Sequence, residues 1–345
     1  MRSHRVRDIA EQAGLSAATV DRVLHGRPGA SPRAARAVEQ AVAELDRQER
    51  ALRLGARPIV VDVVMQAPRR FTDRVREAVE SQLPGIPGAR ARFDLREGGE
   101  PADLVRVLER VGRPGRSSHG VLLKAPAVPE VESAVARLAD RGVPVVTLVT
   151  DLRAPRIAYV GLDNAAAGQT AAYLVARMTR SEGSVLTTVS RSSFYGEEER
   201  RSALVAELDR LRPDLEVLGV ADADGLDGST GDAVRAALAG LAAPVVAVYS
   251  AGGGNRAVLG ALDEAGQTCE TFVAHDLDAD NLALLRAGRI DVVLHHDLRA
   301  DARTALTQLL RHHHLEAGSP VSVGAAVQVV TRTNIPARLG PAWLR

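Results

Sequence analysis

The stretch VRDIAEQAGLSAATVDRVLHG (residues 6–26) predicts two short helices that meet at a tight turn. Val6–Ala13 is the first helix candidate, and Gly14 supplies the turn that follows it. Ser16 can cap a second helix, Ala17–Leu24, because its hydroxyl can accept a hydrogen bond from a free backbone N–H of the first turn. This spacing is typical of a helix-turn-helix.

The residues at the crossing of these helices fit that motif. A small residue, Ala10, permits a close approach, and the β-branched Val20 fills the core beside it. A third helix, predicted from Ser31 to Leu45 with Pro32 in its first turn, carries apolar residues at helical spacing. We therefore expect a small all-α head at the start of the chain.

The distribution of charge also separates a head from a body. Residues 1–57 contain eleven arginines and seven acidic residues, a net charge of +4. The complete chain of 345 residues has a net charge of only +1, which excludes a globally basic nucleic-acid binder. A basic segment on a near-neutral body is typical of a small nucleic-acid-binding domain joined to a larger one.

Beyond Pro58, apolar runs rich in β-branched residues alternate with amphipathic helices. We interpret ten such runs as strands: Ile59–Met65, Gly120–Leu123, Pro144–Val149, Ile157–Val160, Ser184–Val189, Leu215–Val220, Pro244–Tyr249, Thr271–Ala274, Ile290–Leu294 and Ala325–Val330. Apolar strands separated by helices predict parallel sheets covered on both faces. Ten strands are many for one open sheet, so the predicted body is α/β with two doubly wound parallel-sheet lobes.

Several classes of protein are excluded by the remaining composition. The single cysteine, Cys269, leaves no disulfide framework and no paired-cysteine zinc site. No apolar run reaches the roughly 18 residues of a membrane span. The N-terminus lacks the hydrophobic stretch of a signal peptide, so we expect a cytoplasmic protein with no membrane partner.

Two motifs that could indicate catalysis or a metal are weak. Gly252–Gly254 lacks the GxxxxGK[ST] pattern of a phosphate-binding loop, and we interpret it as a strand–helix turn. The side chains of His312–His314 point in different directions on a helix, which favours a solvated helix end over a metal site. No nucleophile is marked by a neighbouring base. We therefore expect no cofactor, no metal and no enzyme activity.

The N-terminal stretch resembles the DNA-binding head of the LacI/GalR family of bacterial transcriptional regulators. The resemblance continues through SPRAARAVEQAVAELD (residues 31–46), and the body resembles the type I periplasmic-binding-protein-like effector domain of that family. We expect a DNA-binding domain at residues 1–47, a hinge or linker at 48–57 and an effector-binding domain at 58–345. Within the last, we expect lobe one at 58–161 and 291–318, and lobe two at 162–290 and 319–345.

The second helix of such a head lies in the major groove of DNA. The resemblance then implies that its start, and the residue one turn on, face the bases: Ala17, Ala18, Thr19 and Arg22. Residues that could position the head on phosphates are Ser16, Ser31 and Arg33. The alternative interpretation is structural, with Arg22 and Arg33 on a solvated helix face and Ser31 as a helix cap only.

Two features depart from the family pattern. Asp21 replaces the usual serine, and an acid there would repel phosphate or accept from a cytosine amino group. The segment RALRLGAR (residues 50–57) stands where the family has a hinge helix that inserts a leucine into the minor groove, here Leu52 or Leu54. It lacks the usual Pro-Asn start and is about two residues short, so a linker helix packed on the body is the alternative.

Polar and aromatic side chains follow the predicted strands at their carboxyl ends, where ligands bind in open α/β sheets. The candidates for effector binding are Arg69, Phe71, Lys124, Asp163, Phe194, Arg200, Ser250, Asn255, His275, Asp276 and His296. Carboxylates and arginines can bind hydroxyls, and ring faces can cover the apolar side of a sugar. The mixture favours a carbohydrate or polyol.

The family resemblance singles out three of these candidates. It implies that Asp163 in YVGLDNAAAGQTAAYLVARM (159–178) lies near the ligand, that Arg200 in GEEERRSALVAEL (196–208) binds it, and that VAHDLDADN (273–281) presents Asp276. His296 falls where a glutamine is common. The alternatives are an interlobe ion pair for Asp276 and Arg200, polar loop histidines for His275 and His296, and core packing for Phe71 and Phe194.

These observations predict a ligand-responsive, sequence-specific regulator of transcription, a repressor relieved by a sugar-like molecule. Paired heads would read a pseudo-palindromic operator in double-stranded DNA, so we expect at least a homodimer. Two alternatives belong to other classes: a sugar-binding transport protein, which needs an export signal, and a sugar-modifying enzyme, which needs a catalytic base or phosphate loop. Induction and corepression use the same parts, and the sequence leaves both open.

Overall fold

The computed structural model describes residues 4–55, 58–221 and 225–336. The chain divides into two compact units. One is the chain up to Ile59 together with Pro84–Arg90, and the other is Val60–Leu83 together with the chain from Ala91 onward. The first unit contains the head, and the second contains both lobes of the body.

Helices and strands alternate through the body. The helices are α1 (Val6–Ala13), α2 (Ala17–Leu24), α3 (Pro32–Gly55), α4 (Arg69–Glu80), α5 (Pro101–Arg110), α6 (Pro129–Asp140), α7 (Asn164–Met178), α8 (Tyr195–Leu211), α9 (Asp227–Ala239), α10 (Asn255–Glu264), α11 (Ala279–Arg286) and α12 (Leu298–His312). The strands are β1 (Val60–Gln66), β2 (Arg90–Arg96), β3 (Gly120–Lys124), β4 (Val145–Leu148), β5 (Ala158–Leu162), β6 (Gly183–Thr188), β7 (Leu215–Val220), β8 (Val245–Ser250), β9 (Thr271–His275), β10 (Val292–His295), β11 (Val323–Ala325) and β12 (Gln328–Val330).

The head is a three-helix unit with its own small core. Helix α1 ends at Gly14, whose φ of 63° lies in the left-handed region that glycine adopts without a steric penalty. Ser16 caps α2 by accepting a hydrogen bond from the backbone N–H of Thr19. The buried core residues come from all three helices: Ile9, Ala10, Val20, Val38 and Ala41. The predicted helix-turn-helix is therefore present.

The third helix is longer than the sequence prediction. Helix α3 runs from Pro32 to Gly55 rather than to Leu45. Residues 33–54 contain neither glycine nor proline and are rich in strong helix formers, so nothing in this stretch ends the helix. The backbone of the expected hinge is helical as far as Gly55, whereas the side chains of Leu52 and Leu54 lie outside the described residues.

The body contains two six-stranded sheets, which confirms the prediction of two parallel-sheet lobes. The strand order in lobe one is β11-β5-β4-β3-β1-β2, and in lobe two it is β12-β10-β9-β8-β6-β7. The pairs of lobe two are parallel except β10–β12, which is antiparallel and adds an edge strand with Val293 opposite Val330. In lobe one, the pairs that join β1, β3, β4, β5 and β11 are parallel.

Each face of the lobe-two sheet has its own apolar core. Strand β8 contributes Val248 to a cluster with Val258 of α10, and Tyr249 to a second cluster with Leu204 of α8. Successive side chains of a strand point to opposite faces, so a strand between two helical layers must be apolar throughout. This is why the strands appear in the sequence as uninterrupted apolar runs.

Two lobe boundaries differ from the sequence prediction. Strand β10 (Val292–His295) pairs with β9 in lobe two, although residues from 291 were expected in lobe one. Strand β11 (Val323–Ala325) pairs with β5 in lobe one, although residues from 319 were expected in lobe two. The chain therefore crosses between the lobes after β5, after β10 and again between β11 and β12.

The predicted strand Ala325–Val330 is two strands, because the chain crosses between the lobes within it. Strand β11 ends at Ala325 in one sheet, and β12 begins at Gln328 in the other. Strand β2 (Arg90–Arg96) was missed. Its sequence RARFDLR lacks an apolar run, since it is an edge strand that is only half-buried.

Helices α7 and α8 approach closely at Gly168. An ideal Cβ at this position would lie 2.1 Å from the carbonyl oxygen of Arg200 and 2.8 Å from the Cβ of Ala203. Contacts this short are not tolerated, so only glycine allows the two helices to meet here. The approach also fixes the backbone that carries the Arg200 side chain.

We predict that Gly168→Ala destabilises the protein by about 1–3 kcal/mol, the usual cost of over-packing a filled core. The matched control is Gly260→Ala, because Gly260 also lies inside a helix, α10, and nothing lies within 4 Å of its ideal Cβ. The control should be neutral or more stable by up to about 1 kcal/mol, since alanine is the better helix former. Urea unfolding of the full-length variants measures both values, and equal stabilities would contradict the close approach.

Candidate functional site

A cavity lies between the two lobes, where strands of both sheets end. It contains about 580 Å³ of atom-free space, part of which is open to solvent. Its lining residues lie mostly just beyond strand ends or at helix starts: Ala67, Pro68, Arg70, Phe71, Lys124, Val149, Thr150, Phe194, Glu197, Arg200, Ala251, Gly252, Gly253, His275, Asp276 and Asp278. Both sheets thus direct their carboxyl ends at one place, the usual ligand position in such folds.

Two buried cations line this cavity, one from each lobe. Lys124 ends β3, and its ammonium lies 3.8 Å from the centroid of the Phe194 ring, a cation–π contact. Burial lowers the pKa of Lys124 to about 8, although Glu197 acts in the opposite direction. Arg200 on α8 is 2% exposed, and its Nε donates to Oδ1 of Asn164 at 2.7 Å, which fixes the plane of the guanidinium.

Asp276 presents a carboxylate to the cavity from an unusual backbone conformation. Its φ of 63° lies in the left-handed region, which is uncommon outside glycine and often found at functional sites. Behind it lies the buried side chain of His296, whose Nε2 is 3.5 Å from Oδ1 of Asp276. The other ring nitrogen, Nδ1, is hydrogen-bonded to Asp301 on α12.

The charges of these three groups depend on one another. Burial opposes the charged form of His296, but contacts with Asp276 and Asp301 outweigh it and raise the pKa of His296 to about 9. Burial likewise opposes ionisation of Asp276, yet His296 and then Arg200 hold the pKa of Asp276 well below its usual range. At neutral pH, an imidazolium therefore lies between two carboxylates.

His275 adds an uncharged hydrogen-bonding group beside Asp276. Its Nε2 lies 2.7 Å from the hydroxyl of Tyr249. Burial, and then Arg200, lower the pKa of His275 well below its usual value, while burial raises that of Tyr249, so both are neutral at pH 7. Among the described residues, Nδ1 of His275 has no hydrogen-bond partner, and a ligand hydroxyl could provide one.

Glu197, another lining residue, accepts hydrogen bonds from the loop that precedes its helix, α8. Its Oε2 accepts from the backbone N–H of Ser190 at 2.6 Å, and its Oε1 accepts from the Ser190 hydroxyl at 2.8 Å. Both oxygens of this carboxylate therefore hold the loop between β6 and α8. The contact orders the segment that carries Phe194.

Arginines from lobe one hold the lobes together across the cavity. Nε of Arg70, on α4, lies 3.1 Å from the carboxylate of Asp278, and the same guanidinium donates to the carbonyl oxygen of Gly225 at 2.7 Å. One helical turn later, Arg74 donates to the carbonyl oxygen of Leu277. The structure thus shows the two lobes joined, with the cavity between them.

Six of the predicted effector residues line the cavity: Phe71, Lys124, Phe194, Arg200, His275 and Asp276. Each lies at the last residue of a strand, just beyond it, or in the first two turns of the next helix, close to where the sequence argument placed it. The two aromatic rings come from different lobes, Phe71 from α4 and Phe194 from the loop that precedes α8. Both rings line the same cavity, and their role in binding is still a prediction.

Two predicted residues lie on the surface instead. The side chain of Arg69 is 81% exposed and lies 3.5 Å from Asp73, because the helical phase of α4 turns the next residue, Arg70, towards the cavity. Asp163 is the exposed N-cap of α7, where it accepts a hydrogen bond from the backbone N–H of Ala166. Neither residue lines the cavity.

Three other predicted residues are buried outside the cavity. Ser250 accepts from the hydroxyl of Thr188 at 3.1 Å, and Asn255 donates to Oδ1 of Asn281 at 2.7 Å, so both serve the interior of lobe two. His296 contacts Asp276 from behind. It lies in the segment that crosses from β10 to α12, in contact with the lining residue Asp276 but not itself part of the lining.

The effector list of the sequence prediction omitted four polar lining residues: Arg70, Thr150, Glu197 and Asp278. Glu197 and Arg70 lie in strand-end segments, so the position alone could have included them. Asp278 also caps α11, where its side chain accepts a hydrogen bond from the backbone N–H of Asn281. The sequence prediction did not name this helix. Thr150 follows β4 but has no charge or ring to mark it.

In the head, most of the predicted DNA contacts lie at the starts of α2 and α3, and Arg22 lies in the last turn of α2. Those exposed to solvent are Ser16, Ala17, Ala18, Arg22, Ser31 and Arg33, while Thr19 is half-buried. Ser16 and Ser31 also cap α2 and α3 respectively. Asp21 pairs with Arg27 and with His25, each at 2.9 Å, so its charge is largely balanced within the head.

Two features are absent from the residues that the structure describes. No helix there is long and apolar enough to cross a membrane. In the same part of the chain, no three His, Cys, Asp or Glu side chains are grouped as the ligands of a metal ion would be.

Comparison with protein families gives two matches. A model described as a periplasmic binding protein domain matches residues 99–314, and one described as bacterial regulatory proteins of the lacI family matches residues 5–47. None of the curated proteins compared with the chain matches it.

Similar solved structures share the fold of the body. GanP, a glucose-galactose binding protein from Geobacillus stearothermophilus, is 15% identical with a TM-score of 0.72, and the match covers 81% of this chain and 99% of that one. An ABC transporter solute binding protein from Agrobacterium vitis, bound with α-D-tagatopyranose, is 18% identical with a TM-score of 0.72 and coverages of 84% and 98%. Another from Burkholderia graminis, in complex with D-arabinose, is 20% identical with a TM-score of 0.72 and coverages of 81% and 97%.

The two family matches agree with the fold. The first spans more than half of the chain and includes most of both lobes, and the second coincides with the three-helix head. The chain therefore belongs to the periplasmic binding protein domain family, and with its lacI-family head it is a ligand-responsive DNA-binding regulator of the LacI/GalR architecture.

Proposed function

We propose that the chain is a repressor that binds operator DNA as a homodimer and leaves it when a carbohydrate or polyol occupies the cavity between the lobes. The observation that carries the proposal is this cavity, lined by two rings and by both signs of charge, in a chain with a lacI-family head. Because its target is genomic DNA, we place the protein in the cytoplasm.

The chemistry of the lining suits a polyhydroxylated ligand. Phe71 and Phe194 offer apolar faces from opposite lobes, while Asp276 and His275 offer hydrogen-bonding groups beside them. Sugar-binding sites combine these two elements, since a sugar ring has an apolar face and a rim of hydroxyls. The similar solved structures that hold tagatose and arabinose support this class of ligand.

The ligand would act by changing how the lobes close. Arg70 and Arg74 of lobe one bind the segment of lobe two that contains Asp276 and Asp278, so a ligand at Asp276 touches the segment that holds the lobes together. A ligand that favours one closure state shifts the equilibrium between states of different DNA affinity. Such coupling typically amounts to about 1–3 kcal/mol and must be reciprocal between the two sites.

The proposal is tested by a gel shift with DNA from upstream of the coding sequence, combined with a thermal-shift screen of sugars and polyols. We expect a site-specific shift that weakens with salt, and a ligand that both stabilises the protein and reverses the shift. A ligand that instead strengthens the shift would indicate corepression. No specific shift under any of these conditions would contradict the proposal.

We predict that two arginines of the head act differently on DNA. Arg22→Ala should cost about 1–3 kcal/mol on the operator and relax specificity, because Arg22 would face base edges. Arg33→Ala should weaken binding to all sequences alike and reduce the salt dependence, because Arg33 would contact phosphate. Salt titrations on operator and random DNA separate the two effects. If both variants lose only sequence-independent affinity, the assignment of Arg22 to the bases is wrong.

We predict that Asp276→Ala abolishes the response to the ligand while operator binding persists, because the cavity loses the carboxylate that would accept ligand hydroxyls. The matched control is Asp163→Ala, which removes an exposed helix cap outside the cavity. That control should cost about 1 kcal/mol of stability and leave the response intact. Gel shifts with and without ligand measure both variants. An unchanged response in Asp276→Ala would place the ligand elsewhere.

A further inference from the structure

Two buried cations of the cavity, Lys124 and Arg200, have no anionic partner among the described residues. Neither Lys124 nor Arg200 forms an ion pair with a described residue, although they are only 6% and 2% exposed. The Lys124 ammonium has the Phe194 ring as its contact, and Arg200 uses only Nε, towards Asn164. Burying a cation without a counter-charge costs free energy. The free N–H groups of Lys124 and Arg200 therefore indicate that a ligand supplies the missing anionic partner.

The carboxylates of the cavity are largely engaged. Glu197 accepts two hydrogen bonds from Ser190, and Asp278 is bound by Arg70. Asp276 lies against His296 and is the carboxylate with most capacity left for ligand hydroxyls. The donors left free in the lining therefore belong to cations, and the acceptors left free are few.

The identity of one cation adds to this excess of free donors over free acceptors. Lys124 is the only lysine in the chain, and every other cationic side chain apart from histidine is arginine. An ammonium is a compact charge with three donors, whereas a guanidinium is a planar fork. Lys124 and Arg200, one from each lobe, present both geometries to the same cavity, and Arg200 is near enough to act on the pKa of Lys124.

We propose that the effector is a sugar acid whose carboxylate is bound by Lys124 and Arg200. With Nε held by Asn164, the terminal nitrogens of Arg200 can bind two carboxylate oxygens as a fork, and the Lys124 ammonium can donate to one of them. A single negative charge suits a cavity lining that also contains Asp276 and Glu197, which would repel a doubly charged phosphate. The inference rests on the proposed function, since it specifies the ligand of the same cavity.

The electrostatics of Lys124 give the proposal a second observable. Burial lowers the pKa of Lys124 to about 8, with Glu197 and Asp276 acting to raise it and Arg200 to lower it. A bound carboxylate would favour the ammonium and raise this pKa. Binding should therefore take up protons near pH 8, and the affinity should fall as the pH rises above 8. A neutral sugar adds no charge beside the ammonium and should take up fewer protons.

The test compares matched ligands by isothermal titration calorimetry on the full-length protein. Each neutral aldose is paired with its aldonate, its uronate and its sugar phosphate, for example galactose with galactonate, galacturonate and galactose 6-phosphate. At pH 7 we expect one acid to bind roughly ten- to a hundred-fold more tightly than its parent sugar, as a hydrogen bond to a charged group typically contributes. Titrations at pH 8 in two buffers of different ionisation enthalpy measure the proton uptake of the wild-type protein.

Two variants locate the effect. Lys124→Met keeps the length of the side chain without its charge, so it should lose both the preference for the acid over the parent sugar and the proton uptake. The matched control, Arg69→Met, removes one positive charge from the exposed side of α4 and should preserve both. Thermal unfolding checks that each variant is folded, and the wild-type titrations test the proposal even if Lys124→Met is not.

The outcomes separate this inference from the proposed function. If neutral sugars bind as tightly as their acids, the proposal of a sugar acid is wrong, but the proposed repressor function is unaffected. If the phosphates bind more tightly than the acids, the assignment of a carboxylate as the bound group is wrong. If no sugar, acid or phosphate binds and none releases the operator, both proposals fail.

Discussion

A charge buried in a protein is costly unless it is paired or hydrogen-bonded, and this constraint governs the centre of the body. The imidazolium of His296 lies between Asp276 of lobe two and Asp301 on α12, which packs on lobe one. Neither carboxylate could be buried alone without a large cost. His296, in the segment that crosses from β10 to α12, therefore balances the charge of one carboxylate on each side, and it holds the Asp276 carboxylate that lines the cavity.

In the proposed mechanism, this arrangement couples the cavity to lobe orientation. A ligand bound at Asp276 would change the environment of His296, and through it that of Asp301 in the other lobe. The arginines of α4 add a second connection, because Arg70 and Arg74 bind the segment beside Asp276. Two packed lobes joined by charged contacts have discrete arrangements rather than continuous ones, which is what a switch requires.

The strand-end rule predicted the cavity because it depends only on the direction of the chain. Parallel strands end at the same edge of their sheet, so residues at the ends of β6 and β9 in lobe two had to lie near one another. Lys124 at the end of β3 meets them because the two sheets direct their carboxyl ends at the same cavity. Lys124, Phe194 and Asp276 were identified on that basis. Arg69 was not placed correctly, because which residue of α4 faces inward depends on the exact start of the helix, and helix starts are uncertain by one or two residues.

The sequence by itself determined the local features of this protein. The turn at Gly14, the caps at Ser16 and Ser31 and the apolar strands follow from short-range rules, so the head and the two-lobed body could be predicted. Only the tertiary structure decided where the chain crosses between lobes, that β11 and β12 belong to different sheets, and that His296 lies behind the cavity. Those outcomes depend on contacts between residues far apart in the chain, and the local pattern of side chains does not encode which partner a strand or a buried charge will meet.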